Sequence, residues 1–304
     1  MAALILFVLI VVVSFAAPLY AHHIAHTDPF ASNITGTTVV DGKRVDVLQQ
    51  GGGTLGIGVV PIGPTWHSNY FLGADNQGRD VMARVLYGGK ASLEIGIGSA
   101  VLCCFIALIL ALIAGFFGRF SDALLSRLMD LIWAFPVYLL AISLATVLLS
   151  QTHPIINPAS LWIPTLIIAI VYIPYVYRPV RGQVLSTREK EYVEAAVSQG
   201  ASNRRLMFNE ILPNILSTVI VLFPLMIATT ILTESALSFL GIGVQSPHAS
   251  WGTIIQDGQD LLYTRPWVAI APGIMIVLTV LSLNVLGDGL RDALDPRAKI
   301  RAKE

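Results

Sequence analysis

The sequence predicts an all-α membrane protein with six transmembrane helices. Of its 304 residues, 55% are hydrophobic and 12% are charged, whereas charged residues make up about 25% of an average soluble domain. A helix needs about 20 mainly apolar residues to cross the hydrocarbon core of a bilayer. Six stretches approach or exceed this length: Ala2–Tyr20, Ser92–Phe117, Ala123–Ser150, Leu161–Tyr177, Asn214–Leu240 and Val268–Leu290.

Composition and missing motifs argue against several other classes of protein. The net charge is +0, so no basic excess indicates nucleic-acid binding. Cys103 and Cys104 are neighbours in an apolar stretch and form no disulfide or metal-binding pattern. The chain has no G-x-x-x-x-G-K-S/T motif for nucleotide phosphates, and neither H-E-x-x-H nor G-x-S-x-G. We therefore expect no catalytic residue, no metal site and no cofactor bound by this chain.

Lysine and arginine residues predict the orientation, because cytoplasmic loops carry an excess of both. If both termini are cytoplasmic, 13 of the 19 lysines and arginines lie in cytoplasmic segments. Lys43 is then external, whereas Lys190 and Lys299 are cytoplasmic. The predicted organisation is a first transmembrane helix (1–21), a long extracytoplasmic loop (22–90), a domain of five transmembrane helices (91–290) and a cytoplasmic tail (291–304).

The segment 186–213 is polar and too long for a simple turn between two spans, so we expect it to form short helices. Ser186 and Glu189 have the spacing of a capping box, which predicts a helix over Glu189–Gln199. Gly200 is typical of the residue that follows a helix end. A second helix is predicted from Ser202 until Pro213, where the chain turns into the membrane.

The order Glu194-Ala195-Ala196, Gly200 and Ile211-Leu212-Pro213 resembles the EAA loop of ABC-importer permeases. The resemblance implies that the first helix is a coupling helix, which docks on a cytoplasmic ATPase subunit. Glu210 departs from the family pattern, which often has an apolar residue there. The coupling residues implied by the match are Glu194, Ala195, Ala196, Gly200, Leu212 and Pro213.

Four further segments carry a resemblance: Gly73–Asp80 with Arg84, Ala236–Gly243, Ser250–Gly252 and Gly287–Arg297. They are similar to the dipeptide, oligopeptide and nickel permease family, and specifically to its second paralogue. The resemblance covers roughly Gly73 to Arg297 and implies the type I ABC importer permease fold. It also implies a bacterial inner-membrane subunit that forms half of a translocation pathway for peptides, nickel or other small solutes.

The same resemblance implies the partners of the chain. A second permease subunit would complete the pathway, and an extracytoplasmic substrate-binding protein would deliver the substrate. Two cytoplasmic ATPase subunits or domains would hold ATP and magnesium. Membrane lipid is the remaining partner, and nucleic acid is not expected.

Glu234 is the acidic residue placed deepest in a predicted span. An ionised carboxylate at a helix centre costs about 2.5–3.5 kcal/mol on insertion scales, so its side chain should face protein or water. Two alternatives stay open: Glu234 lines the pathway or a gate, or it is paired structurally. Four prolines, Pro136, Pro164, Pro174 and Pro224, are expected to interrupt the predicted helices that contain them.

A rival class is an ion-coupled secondary transporter. Such proteins usually contain two similar halves and ion sites near the membrane midplane, and the sequence shows no such repeat. A membrane-embedded enzyme would need a cluster of acids, bases or metal ligands that the sequence does not show. The outer segment 22–70 is predicted to be a loop with little regular structure. It could line the external mouth, contact the binding protein or have no separate task.

Overall fold

The computed structural model describes residues 1–40, 42–50, 58–150 and 157–294. Lys299 and the end of the Gly287–Arg297 motif lie outside the described residues. The chain divides into two compact units. The first unit comprises Met1–Ile95, Ala145–Pro164 and Ile231–Ser282, and the second comprises Gly96–Leu144, Thr165–Thr230 and the chain from Leu283.

Long apolar helices dominate the described residues, which confirms the prediction of a helical membrane protein. Four helices are long and apolar enough to cross a membrane, and two bent helix pairs raise the possible number of spans to six. Each of the six predicted stretches corresponds to one of these helices or pairs. In chain order the main helices are α1 (Ala2–Phe15), α2 (Ala17–Tyr20), α3 (Val81–Phe117), α4 (Arg119–Trp133), α5 (Val137–Ser150), α6 (Trp162–Arg188), α7 (Glu191–Ser198), α8 (Asn203–Arg205), α9 (Leu212–Phe239), α10 (Trp251–Asp257) and α11 (Trp267–Leu294).

The first span is bent and longer than predicted. Helix α1 ends at Phe15, and the next helix starts at Ala17, with a bend of 53° between them. Pro18 occupies the first turn of α2, where its missing N–H leaves no hydrogen bond unmade. A π-helical turn over Ala21–Ala25 extends the helix beyond the predicted end at Tyr20.

The third predicted span, Ala123–Ser150, is not a single helix. It consists of α4 and α5, which meet at an angle of 88°. Pro136 lies between them, and a proline removes a helical hydrogen bond and clashes with the preceding turn. The other prolines do not separate helices: Pro174 lies inside α6 and Pro224 lies inside α9, while Pro164 lies in the first turn of α6, where proline is tolerated.

Helix α3 begins before the end of the predicted extracytoplasmic loop. Its first residue is Val81 rather than Ser92, so residues 81–90 are helical. Asp80 explains this start because its carboxylate accepts a hydrogen bond from the Ala83 N–H at 3.1 Å, as an N-terminal capping residue does. The Asp80 carbonyl also accepts from the Arg84 N–H at 3.0 Å.

The outer segment contains β-structure that the sequence did not predict. Strands β1 (Thr37–Val40) and β2 (Lys43–Asp46) form one antiparallel pair, and β3 (Leu48–Gln50) and β4 (Val59–Pro61) form another. Val47, Ile62, Tyr70 and Ala74 form a small buried core beside them. The prediction of a loop with little regular structure is therefore wrong for this part of the chain.

Helix α4 packs on α6 through polar side chains in the second unit. Asp122 forms a two-point ion pair with Arg181, and the Ser126 and Tyr177 hydroxyl oxygens lie 3.2 Å apart. One turn further on, Arg178 pairs with Asp130 at 2.9 Å. The opposite face of α4 exposes a row of apolar side chains: Phe120, Leu124, Leu128 and Leu131.

Candidate functional site

The predicted coupling helix is present as α7, but it starts differently. Ser186 lies inside α6, so its backbone groups already belong to a helix and the predicted capping box does not form. Lys190 is the residue before α7, and its carbonyl accepts from the N–H groups of Val193 at 2.9 Å and Glu194 at 3.2 Å. Glu191 and Glu194 place negative charge at the positive end of the helix dipole.

Gly200 forms the turn that ends α7, as predicted. Its N–H donates to the Val197 carbonyl at 2.9 Å, and the Ala201 N–H donates to the Ala196 carbonyl at 3.0 Å. These two bonds define a Schellman motif. In this motif the residue just after the helix, here Gly200, has a left-handed backbone conformation. Gly200 has φ +77°, so a side chain at this position is strained even though no atom lies within 4 Å of where its Cβ would be.

The residues of the predicted Glu194-Ala195-Ala196 motif lie on different faces of α7. Val193 and Ala196 point inward, with 3% and 8% of their surface exposed. Glu194 and Ala195 lie on the exposed face, where Val197 is 56% exposed. The predicted pair of docking alanines is therefore split: Ala195 is available to a partner, and Ala196 packs against the protein itself.

The segment after Gly200 continues into the next long helix. The Ser202 hydroxyl accepts from the Arg205 N–H at 3.4 Å and starts α8. A π-helical turn over Leu206–Ile211 follows, and Leu212 and Pro213 are the first residues of α9. The prediction that a separate helix ends at Pro213 is wrong. The π-helical turn changes the hydrogen-bond register just before a residue that has no N–H to donate.

Glu234 lies in α9 and is fully buried within the first unit. Its carboxylate accepts hydrogen bonds from the hydroxyls of Ser92 at 2.9 Å and Ser238 at 2.7 Å. The Ser92 oxygen also accepts from the Trp251 N–H at 3.1 Å, and the Ser238 oxygen accepts from the Val244 N–H at 3.0 Å. These contacts favour structural pairing over a pathway-facing side chain. A gate or pathway role for Glu234 stays a prediction.

A second, largely buried polar cluster joins α3 and the segment before it to α10. Arg84 donates to Asp75 at 2.7 Å and to Asp257 at 2.8 Å. Arg79 bridges the same two acids at 2.7 and 2.9 Å. Burial raises the pKa of Asp257, while the charge of Arg79 acts against this rise. The sequence singled out Asp75, Arg79 and Arg84 within a family-like segment, but not Asp257.

The sequence carried only a weak signal for Asp257. Asp257 lies five residues beyond the Ser250-Trp251-Gly252 motif, at the end of the short helix α10 that begins at Trp251. Its role depends on two arginines more than 170 residues away along the chain. Only the fold brings these groups together.

The described ranges contain no cluster of three His, Cys, Asp or Glu side chains that could hold a metal ion. Between α6 and α9 the chain contains the short helix α7, which has one exposed face. Backbone hydrogen bonds to Lys190 define its start, and those at Gly200 and Ala201 define its end.

The long apolar helices define the chain as a membrane protein with several spans. Residues 107–300 match the family described as binding-protein-dependent transport system inner membrane component. The dipeptide transport system permease protein of Alkalihalophilus pseudofirmus is 41% identical over 232 residues, which cover 76% of this chain and 73% of the relative. The oligopeptide transport system permease protein of Bacillus subtilis is 40% identical over 233 residues, covering 76% and 73%.

The glutathione transport system permease protein of Pectobacterium atrosepticum is 38% identical over 232 residues, covering 76% of this chain and 74% of the relative. The chain belongs to the family of inner membrane components of binding-protein-dependent transport systems. It is a permease subunit of an ABC importer with the type I fold, and it is not itself an enzyme. Nothing in these comparisons favours the ion-coupled secondary transporter.

Proposed function

We propose that this permease forms half of the translocation pathway of a peptide importer and couples it to ATP hydrolysis through α7. The observation that carries the proposal is the exposed face of α7, which presents Glu194 and Ala195 between two fixed ends. A small residue lets a partner backbone approach closely, and a carboxylate accepts charge-assisted hydrogen bonds from it. The proposed coupling residues are Glu194, Ala195, Ala196, Gly200, Leu212 and Pro213. Ala196 contributes by packing α7 against the rest of the permease, because its side chain is buried.

The remaining parts of the importer are proposed from family membership. A second permease subunit completes the pathway as a heterodimer, and two ATPase subunits bind ATP and magnesium. An extracytoplasmic binding protein delivers the substrate. Both termini and α7 are cytoplasmic, in agreement with the excess of Lys and Arg in those segments. ATP moves the permease only if the ATPases bind it more tightly in one state than in the other.

Peptides are the proposed substrate class. Relatives that cover three quarters of this chain are dipeptide, oligopeptide and glutathione permease proteins. This supports peptides over nickel or other small solutes. The test is uptake of a labelled dipeptide by proteoliposomes that contain the whole importer and its binding protein. Uptake of nickel chelates without uptake of any peptide would contradict the substrate assignment.

Cross-linking tests the docking face of α7. An Ala195→Cys permease should cross-link to an ATPase subunit that carries a cysteine in its docking groove. Val193→Cys is the matched control, because Val193 lies two residues away but faces inward. Equal cross-linking of both variants, or cross-linking of Val193→Cys alone, would show that α7 does not dock by the face proposed.

A further inference from the structure

A cavity of about 410 Å³ lies within the second unit, near the coupling loop. Three helices line it: α6, the first part of α9 and the last part of α11. Its volume lies in the range of about 300–1,000 Å³ that is typical of sites for small ligands. The lining residues that matter here are Gln183, Ser217, Leu222, Leu225, Asp288 and Arg291.

Two opposite charges lie on one side of this cavity. Asp288 and Arg291 are three residues apart on α11, a spacing that puts their Cβ atoms about 5–6 Å apart on one helix face. Neither side chain forms a hydrogen bond or an ion pair with any residue that the structure describes. One guanidinium and one carboxylate are thus available in the same cavity.

The other side of the cavity is mainly apolar and comes from α9. Leu222 and Leu225 contribute side chains to it. Gly287 on α11 adjoins this wall, and a Cβ at Gly287 would make an ordinary van der Waals contact with Leu225, at 3.4 Å from its Cγ. The Ser217 hydroxyl donates to the Asn214 carbonyl, so its oxygen can still accept a hydrogen bond from a ligand.

We propose that this cavity binds a short peptide with free termini. Arg291 would receive the terminal carboxylate in a bidentate pair, and Asp288 would receive the terminal ammonium group. Leu222 and Leu225 would contact an apolar side chain of the peptide, and Gln183 can bond to a peptide amide. The choice of a peptide as ligand rests on the proposed function of the importer.

Occupancy of this cavity should affect coupling. Helix α6 ends at Arg188, close before α7, and α9 begins at Leu212 directly after the loop. A ligand held between α6, α9 and α11 stabilises the arrangement of these helices that fits it best. Because ATP turnover requires this arrangement to change, a peptide that has accumulated on that side of the membrane and holds the helices in one arrangement should slow ATP hydrolysis. The cavity is thus a product-sensing site.

The test uses the whole importer in nanodiscs, without its binding protein, and measures equilibrium binding of L-alanyl-L-leucine. We expect saturable binding that weakens about tenfold or more in Arg291→Gln, because a charge-assisted pair is lost. The C-terminal amide of the dipeptide should bind the unaltered importer equally weakly. Leu222→Trp, which fills the cavity, should abolish binding. Arg127→Gln is the matched control, since Arg127 is an exposed arginine in the same unit outside the cavity.

ATPase activity and import distinguish this inference from the proposed function. Added L-alanyl-L-leucine should lower ATPase activity in the unaltered importer and in Arg127→Gln, but not in Arg291→Gln. Absence of binding, or equal binding by Arg291→Gln and Arg127→Gln, would overturn the inference. So would a tightly bound phospholipid that occupies the cavity in place of the peptide. Peptide import that continues in those cases leaves the proposed function intact, whereas loss of all peptide import in the unaltered importer refutes the function itself.

Discussion

The Ser92 hydroxyl on α3 donates a 2.9 Å hydrogen bond to the Glu234 carboxylate on α9, across 142 residues of sequence. Because Ser92 also accepts from the Trp251 N–H, one hydroxyl connects α3, α9 and the start of α10. Glu234 is fully buried, and the part of the chain that the structure describes offers it no lysine or arginine as an ion-pair partner. The hydroxyls of Ser92 and Ser238, rather than a cation, therefore stabilise the buried Glu234 carboxylate.

We predict that Glu234→Gln is better tolerated than Glu234→Leu. The amide keeps a carbonyl oxygen that can accept from Ser92 or Ser238, whereas leucine leaves both hydroxyls without an acceptor. Each buried unsatisfied group costs about 1–3 kcal/mol. Thermal unfolding of the purified permease should show a larger loss for Glu234→Leu. Glu94→Leu, at a half-exposed position on α3, is the control and should change little. Equal losses for both Glu234 variants would contradict the hydrogen-bonding role.

Gly200→Val should weaken ATPase docking without preventing membrane insertion. A β-carbon in the left-handed region costs about 1–2 kcal/mol, and this strain should open the Schellman turn that ends α7. Gly182→Val is the matched control, because Gly182 also has space for a Cβ but no positive φ. The amount of ATPase that co-purifies with the permease gives the readout. Normal docking of Gly200→Val would mean that the end of α7 has no part in coupling.

Glu194→Ala should reduce stimulation of ATP hydrolysis by the loaded binding protein. The substitution removes charge-assisted hydrogen bonds to the ATPase that are worth about 1.5–3 kcal/mol. Glu191→Ala serves as the control, because Glu191 is also an acid in the first turn of α7 and interacts with the same helix dipole. If both variants lose stimulation to the same extent, the effect comes from helix stability and not from docking.

Arg84→Met should be strongly destabilising. It removes a cation that is 4% exposed and leaves Asp75 and Asp257 with Arg79 alone. Removing one member of a buried ion pair typically costs about 3–5 kcal/mol, and the partial exposure of Asp257 should place this change near the lower end. Arg44→Met, on exposed strand β2, removes the same charge as a control. A thermal unfolding midpoint that is equal in the two variants would show that the cluster does not hold α10 in place.

Cysteine labelling in intact cells tests the orientation. Lys43→Cys should react with an impermeant maleimide added outside, whereas Lys190→Cys should react only after the membrane is permeabilised. Both positions are exposed, so accessibility within the protein does not limit the reaction. Lys299 is expected to behave as Lys190 does. Labelling of Lys190→Cys from outside would reverse the topology and remove α7 from the side of the ATPases.

Local properties of the sequence determined the class of protein and the end of α7. The length of an apolar stretch measures its ability to cross a bilayer, which explains why every predicted span has a counterpart among the described helices. Gly200 acts through its own backbone conformation and through bonds to residues at most five positions away. Such features are readable without a fold, because all of the interacting groups are close together in the chain.

Tertiary structure alone decided the features that depend on distant partners. Ser186 was available as a cap in the sequence, yet α6 continued through it. The choice of Ala195 as the exposed alanine depends on how α7 packs, and the β-strands of the outer segment depend on pairing and on a small core. The bonds of Glu234 to Ser92 and of Asp257 to Arg84 join groups more than 140 residues apart. A buried charge shows from sequence that it needs partners, but only the packed helices determine which partners come within hydrogen-bonding distance.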